Sequence, residues 1–174
     1  MAGGSLDDFF AYAGPCWRAV AAGRESAVLE GTTRAGRYNR PGELTLYMSG
    51  SPEGVAAAMA RYGDAARTLV RLKVEATRLA DLRDVDACLA FGIDASRVKE
   101  DWIAALAAGR EPASWSASDR ARAVGAQGLV DASRRVPGQW HLVLFGWNAL
   151  GLARVEIVLG SNDAGSAAGG PSRE

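Results

Sequence analysis

The sequence predicts an α+β domain, a twisted, mostly antiparallel sheet with small helices around it. Three observations carry that expectation. Residues 68–75 alternate, with Val70, Leu72 and Val74 facing one way and Arg71, Lys73 and Glu75 the other, the pattern of a half-buried strand. Strand-like and helix-like stretches are interspersed without the regular βαβ repeat of a parallel sheet. No glycine-rich dinucleotide fingerprint joins a strand to a helix, and no Walker A motif occurs.

Composition sets the outer bounds. A chain of 174 residues suits one domain with a substantial core. Twenty basic and twenty acidic side chains give zero formal net charge, which argues against charge-driven binding to nucleic acid or to an anionic membrane. His141 is the only histidine, and Cys16 and Cys88 lack metal-ligand spacing, so neither a metal site nor a Ser–His–Asp triad is expected. No run of about eighteen apolar residues is present, and no basic start precedes an apolar core at the N-terminus. A cytoplasmic protein is expected. Abundant alanine and scarce lysine read as the mark of a GC-rich genome.

Taken in order, residues 1–15 are small and acidic and form an N-terminal extension, in which Phe9, Phe10 and Tyr12 can anchor a first turn. Residues 16–20 make a short strand with Arg18 among apolar neighbours, and residues 21–33 form a loop. Residues 34–42 then read Arg-Ala-Gly-Arg-Tyr-Asn-Arg-Pro-Gly and feed a strand ending at Ser49. Three arginines in seven residues cannot all be buried without paired anions. With Asn39 and Pro41 favouring a turn, the loop offers a phosphate forked guanidinium donors, backbone N–H groups and the flat ring of Tyr38. A solvated turn is the plainer reading of this loop taken alone.

Ser51, Pro52 and Glu53 are helix-start residues, and Val55, Met59 and Tyr62 share one face of a helix ending near Gly63. The strand of residues 68–75 is followed by a strand end or turn over residues 79–84 and a short helix stopped at Gly92. Further helices run from Asp101 to near Gly109 and from Ser114 to Gly125, the second with Ser116 or Ser118 as cap. After Gly128 and a turn at Pro137-Gly138, residues 140–145 are a buried strand and residues 154–159 alternate as a last one. The domain is thus placed at residues 16–159. Residues 160–174 are glycine-, serine- and alanine-rich, cannot offset the entropy of ordering, and are expected to be disordered.

Taken together, these stations resemble the RES domain family. Trp17-Arg18 matches an aromatic–arginine pair in a first strand. Residues 34–42 match an Arg–x–Gly–Gly–Arg–Trp–Asn–Pro-like loop, one glycine shorter and with Tyr38 for the tryptophan. Leu46-Tyr47, Ser51-Pro52-Glu53, Asp101-Trp102, and the run from Gly128-Leu129 to Ser133 and Arg135 follow in order. The resemblance implies an ADP-ribosyltransferase-like fold, cleavage of NAD+ at the nicotinamide–ribose bond, a role as an intracellular toxin, and an Xre-type antitoxin partner. It implies Arg37, Tyr47 and Ser133 as catalytic residues, with Arg18, Arg34, Arg37, Tyr38, Asn39 and Tyr47 binding the dinucleotide. Arg18 and Arg37 would clamp the pyrophosphate, Tyr47 would orient the nicotinamide end, and Ser133 would bond the nicotinamide or ribose. NAD+ is then a substrate, and no metal is implied.

One departure bears on activity. Counted along the helix from Tyr47, the family's acidic residue falls at Ala58. Glu53 lies five residues earlier and does not substitute, whereas Asp64 or Asp101 could reach in from elsewhere. Ala132 also replaces the proline that often precedes the serine. The alternative to an NAD+-cleaving enzyme is therefore a divergent, non-catalytic domain that binds NAD+, ADP-ribose or a protein partner.

Overall fold

The alternating stretch lies within the longest strand of the protein. The computed structural model describes residues 8–63 and 65–158, so the expectations for residues 1–7, for Asp64 and for the tail lie outside the described residues. Strand β3 (Arg67–Asp81) buries Val70, Leu72, Val74 and Ala76, as the period-two pattern requires. Strand β1 (Phe10–Ala21) pairs antiparallel along it, from Phe10 opposite Leu79 to Ala21 opposite Arg67. The first strand therefore begins six residues before Cys16, within the stretch expected to be an extension. Gly14 and Pro15 hid it, because neither carries a strand signal.

The opposite edge of β3 takes two partners in succession. Strand β6 (Arg154–Ile157) pairs antiparallel with Leu72–Glu75, and β4 (Gly128–Ala132) pairs parallel with Leu79–Asp81. Strand β5 (Trp140–Leu144) then pairs antiparallel with β4, and β2 (Leu46–Ser49) antiparallel with β5. Finally β2 meets β1 at a single register pair, Trp17 opposite Ser49. The expected twisted, mostly antiparallel sheet closes into a ring of β1, β2, β5, β4 and β3, with β6 on the flank. A fifteen-residue β3 has length enough to hold partners on both edges, and so the sheet meets itself. Gly128 permits one tight approach in the ring, since a Cβ there would sit 2.2 Å from the Val143 carbonyl oxygen.

Residues from all six strands, including Cys16, Leu46, Leu72, Val130, Leu142 and Val155, form one core. The other face of β4 and β5 buries Leu129 and Val143 with Tyr38, Cys88, Ala117 and Ala121. Helix α1 (Pro52–Met59) starts as expected, with the Gly54 N–H donating to Ser51 Oγ at 2.9 Å. Helices α2 (Val85–Ala90) and α3 (Trp102–Ala107) are capped by Asp84 and Asp101. Helix α4 (Ala113–Ala123) starts earlier than the serines suggested, after an extended Pro112. Ser116 and Ser118 therefore lie inside it, and the buried Ser118 hydroxyl donates to the Ser114 carbonyl at 3.2 Å.

Candidate active site

The basic loop of residues 34–42 is shaped from within by one amide. Asn39 is 0 % exposed, and its Nδ2 donates to the carbonyls of Arg34 (2.8 Å), Arg40 (3.0 Å) and Glu43 (3.3 Å). Its Oδ1 accepts from the Tyr47 hydroxyl at 2.8 Å, and that hydroxyl accepts from the Tyr38 N–H at 2.9 Å. Helix α4 grips the same loop from outside. Trp115 Nε1 donates to the Gly36 carbonyl at 2.8 Å, and Ser114 Oγ donates to that of Arg37. Arg40 pairs with Asp119 at 2.7 Å and Glu111 at 3.3 Å, with its guanidinium 5.3 Å from the Trp115 ring centroid. The three loop arginines therefore part company: Arg40 is spent on the helix, while Arg34 and Arg37 face a cleft.

That cleft has a volume of about 780 Å³ and opens over the seam where β2 meets β1. Among the described residues, six arginines line it (Arg18, Arg34, Arg37, Arg67, Arg134 and Arg135) against a single carboxylate, Asp131. Arg18 and Arg67 spend donors on backbone carbonyls, those of Val28 and Gly31 and those of Tyr62, Gly63 and Ala65. Such bonds do not neutralise the guanidinium charge, so the cleft is strongly cationic in a chain of zero net charge. Tyr47, Trp17 and Trp102 add aromatic surface to the walls.

The floor is a polar row set by strand register. Ser49 on β2 lies opposite His141 on β5, which lies opposite Asp131 on β4. Alternation puts these three on the same face as Tyr47, Val143 and Leu129. Ser49 Oγ is 2.9 Å from His141 Nδ1, and the Tyr38 hydroxyl donates to Asp131 Oδ2. Arg134 Nη2 stands 3.8 Å from the same oxygen. Burial holds the His141 imidazole below its ordinary value, against the pull of Asp131 and with the help of the Arg37 charge. The two cysteines offer no nucleophile: burial pushes the Cys16 thiol to about 12 and the Cys88 thiol to about 11.

The lowered His141 value has a measurable consequence. The unfolded imidazole takes up a proton as pH falls through about 6.5, while the folded one resists until lower pH. Stability contributed by the neutral ring is therefore full above that range and lost below it. The melting temperature is expected to fall from pH 7 to pH 5, and His141→Gln should flatten part of that fall at constant ionic strength. Parallel curves for the two proteins would show that burial leaves the proton affinity of the ring unchanged.

Most of the expected residues converge. Arg18, Arg34, Arg37, Tyr38, Tyr47, Ser133 and Ala58 all line the cleft. Two of the expected binding residues are buried. Asn39 is sealed inside the loop and does not reach the cleft, because its amide satisfies three loop carbonyls. Tyr38 borders the cleft but is 2 % exposed, with its ring in the second core and its hydroxyl donating to Asp131. Ser133 sits at the turn after β4, its hydroxyl accepting from the N–H groups of Arg135 (3.4 Å) and Val136 (3.3 Å). Asp101 does not supply the missing acid, since its carboxylate caps α3 and lies away from the cleft. Asp131 and His141 had no assigned part in the site. A signal for Asp131 was present, for it stands two residues before Ser133, the spacing that puts alternate strand positions on one face.

The RES domain family model matches residues 15–165. No curated protein matches the chain. Among solved structures, one similar chain comes from the crystal structure of the M. tuberculosis MbcT–MbcA toxin–antitoxin complex. The match has 18 % identity and a TM-score of 0.54, and covers 88 % of this chain and 89 % of that one. At that identity the likeness is one of fold. Among the described residues no helix is long and apolar enough to cross a membrane.

Proposed function

The chain belongs to the RES domain family, and from that premise we propose that it cleaves NAD+ at the nicotinamide–ribose bond and acts as an intracellular toxin, with an antitoxin of the Xre type as its partner. The observation that carries this reading is the cleft: among the described residues, six arginines and aromatic side chains surround one carboxylate, in a volume suited to a dinucleotide. A pyrophosphate is the ligand group that forked guanidinium donors hold best. Arg37 from the loop and Arg18 from β1 are the candidate clamp, and Tyr47 walls the cleft beside them. The closed ring with its cleft over the β1–β2 seam is consistent with an ADP-ribosyltransferase-like arrangement, and the solved toxin–antitoxin complex of similar fold supports the toxin role.

Breaking the glycosidic bond leaves positive charge on the ribose, which a preorganised negative group stabilises. Ala58 lines the cleft where the family pattern puts an acid, and this favours one competing reading, a binder that leaves NAD+ intact. Incubation of the purified protein with NAD+, followed by proton NMR, separates the two. Free nicotinamide appearing with ADP-ribose or an ADP-ribosylated product is the expected result. A rise in melting temperature with NAD+ unchanged after hours would replace the enzyme reading with the binder.

A further inference from the structure

We propose that Asp131 is the carboxylate that faces the developing ribose cation, so that the floor of the cleft supplies what the helix position Ala58 does not. The proposal rests on the NAD+-cleaving reading above. Its first support is exclusive placement: Asp131 is the only acidic side chain among the described residues lining the cleft. Its second is preorganisation. The side chain is 13 % exposed and lines the cleft, and the Tyr38 hydroxyl and Arg134 both meet Oδ2, so Oδ1 is outside both contacts. Tyr38 is itself locked in the second core, and its N–H is bonded to Tyr47. The acid is therefore fixed to the same loop that presents Arg37, and the anion-binding and cation-stabilising groups keep their spacing. A group held in place before the reaction stabilises charge without reorganising as it forms.

The placement also suits the direction of attack. Asp131 lies two strands from Ser49, a distance of about 10 Å at ordinary strand spacing, so it approaches from the floor while α1 stands beside β2. In the step, the C1′–N bond breaks and its electron pair leaves with the nicotinamide ring, which departs neutral. A water oxygen bonds to C1′ and releases one proton to solvent, giving ADP-ribose. Asp131 forms no covalent bond.

The test is Asp131→Asn, which keeps size and still accepts from the Tyr38 hydroxyl. Turnover of NAD+ should fall at least a hundredfold, while KM stays level or falls. Removing a negative charge cannot weaken the hold of a cationic cleft on an anionic dinucleotide, so a purely structural Asp131 would be betrayed by a rising KM. Turnover within threefold of the native chain, or a loss confined to KM, would overturn the proposal. If the Asn variant melts more than about 10 °C lower, the equal-sized pair Asp131→Glu and Asp131→Gln isolates the charge. The Glu variant should then be at least tenfold the faster, and equal rates would overturn the role. A native chain that binds NAD+ without consuming it is a different failure, because it removes the reading on which Asp131 depends and removes Asp131 with it.

Discussion

Arg37→Ala is expected to abolish NAD+ consumption, by about a thousandfold, with the melting temperature within a few degrees of the native value. The magnitude is the upper range for removing one preorganised charge-stabilising donor. The side chain lines the cleft, and its charge is felt by the groups of the floor and loop: burial raises Tyr38 and Tyr47 and lowers His141, and the Arg37 charge opposes the first two shifts and adds to the third. The fold does not hang on it, because what α4 holds is the Arg37 carbonyl, through Ser114, and what shapes the loop is Asn39. Arg37→Lys keeps the charge and loses the fork, so it should recover part of the activity and leave a deficit of roughly tenfold. Initial rates by nicotinamide release, with thermal melts of each variant, read both quantities. Native-like turnover by the alanine variant would take Arg37 out of the site and leave Arg18 and Arg34 as the anion-binding pair.

The contrast between Arg37 and Asn39 shows what a sequence discloses and what it hides. Strand β3 is legible because alternation is a local property, and α1 because its cap, proline and acid are consecutive residues. The cleft-facing place of Arg37 and Ala58 also follows from short motifs at fixed spacing. Closure of the ring is not local at all. It depends on β1 continuing back through Gly14 and Pro15, and on one pair, Trp17 with Ser49, formed by distant segments. The floor is hidden for the same reason. Ser49, His141 and Asp131 are an unremarkable strand end, a lone histidine and one charge in a polar run until register sets them side by side. An asparagine inside a basic loop reads equally well as a ligand donor or as a staple. Only the count of its partners, three carbonyls and one hydroxyl, decides for the staple.

That decision makes Asn39→Ala the substitution with the largest expected effect on stability. It removes a fully buried amide, leaving the Arg34 carbonyl without its donor and the Tyr47 hydroxyl short of an acceptor, while the Arg40 and Glu43 carbonyls keep only the Glu43 N–H (3.2 Å) and the Thr45 hydroxyl (3.4 Å). A buried polar group left unsatisfied costs about 1–3 kcal/mol, and water entering the loop would relieve part of the total, so about 3–5 kcal/mol is expected. For a domain of this size that is a drop in melting temperature of about 10 °C. Asn39→Asp sharpens the argument. The carboxylate still accepts from Tyr47, but it turns a second acceptor toward three carbonyl oxygens, so it should destabilise at least as much as alanine despite its closer shape. A ligand-binding asparagine would behave in the opposite way, with unchanged melting in the free protein and loss only of NAD+ affinity. In the staple role, weaker melting comes first and activity fails with it, because Arg37 is presented by the loop that Asn39 holds. Thermal denaturation of the two variants without ligand decides between these, and a native melting temperature for both would return Asn39 to the list of ligand contacts.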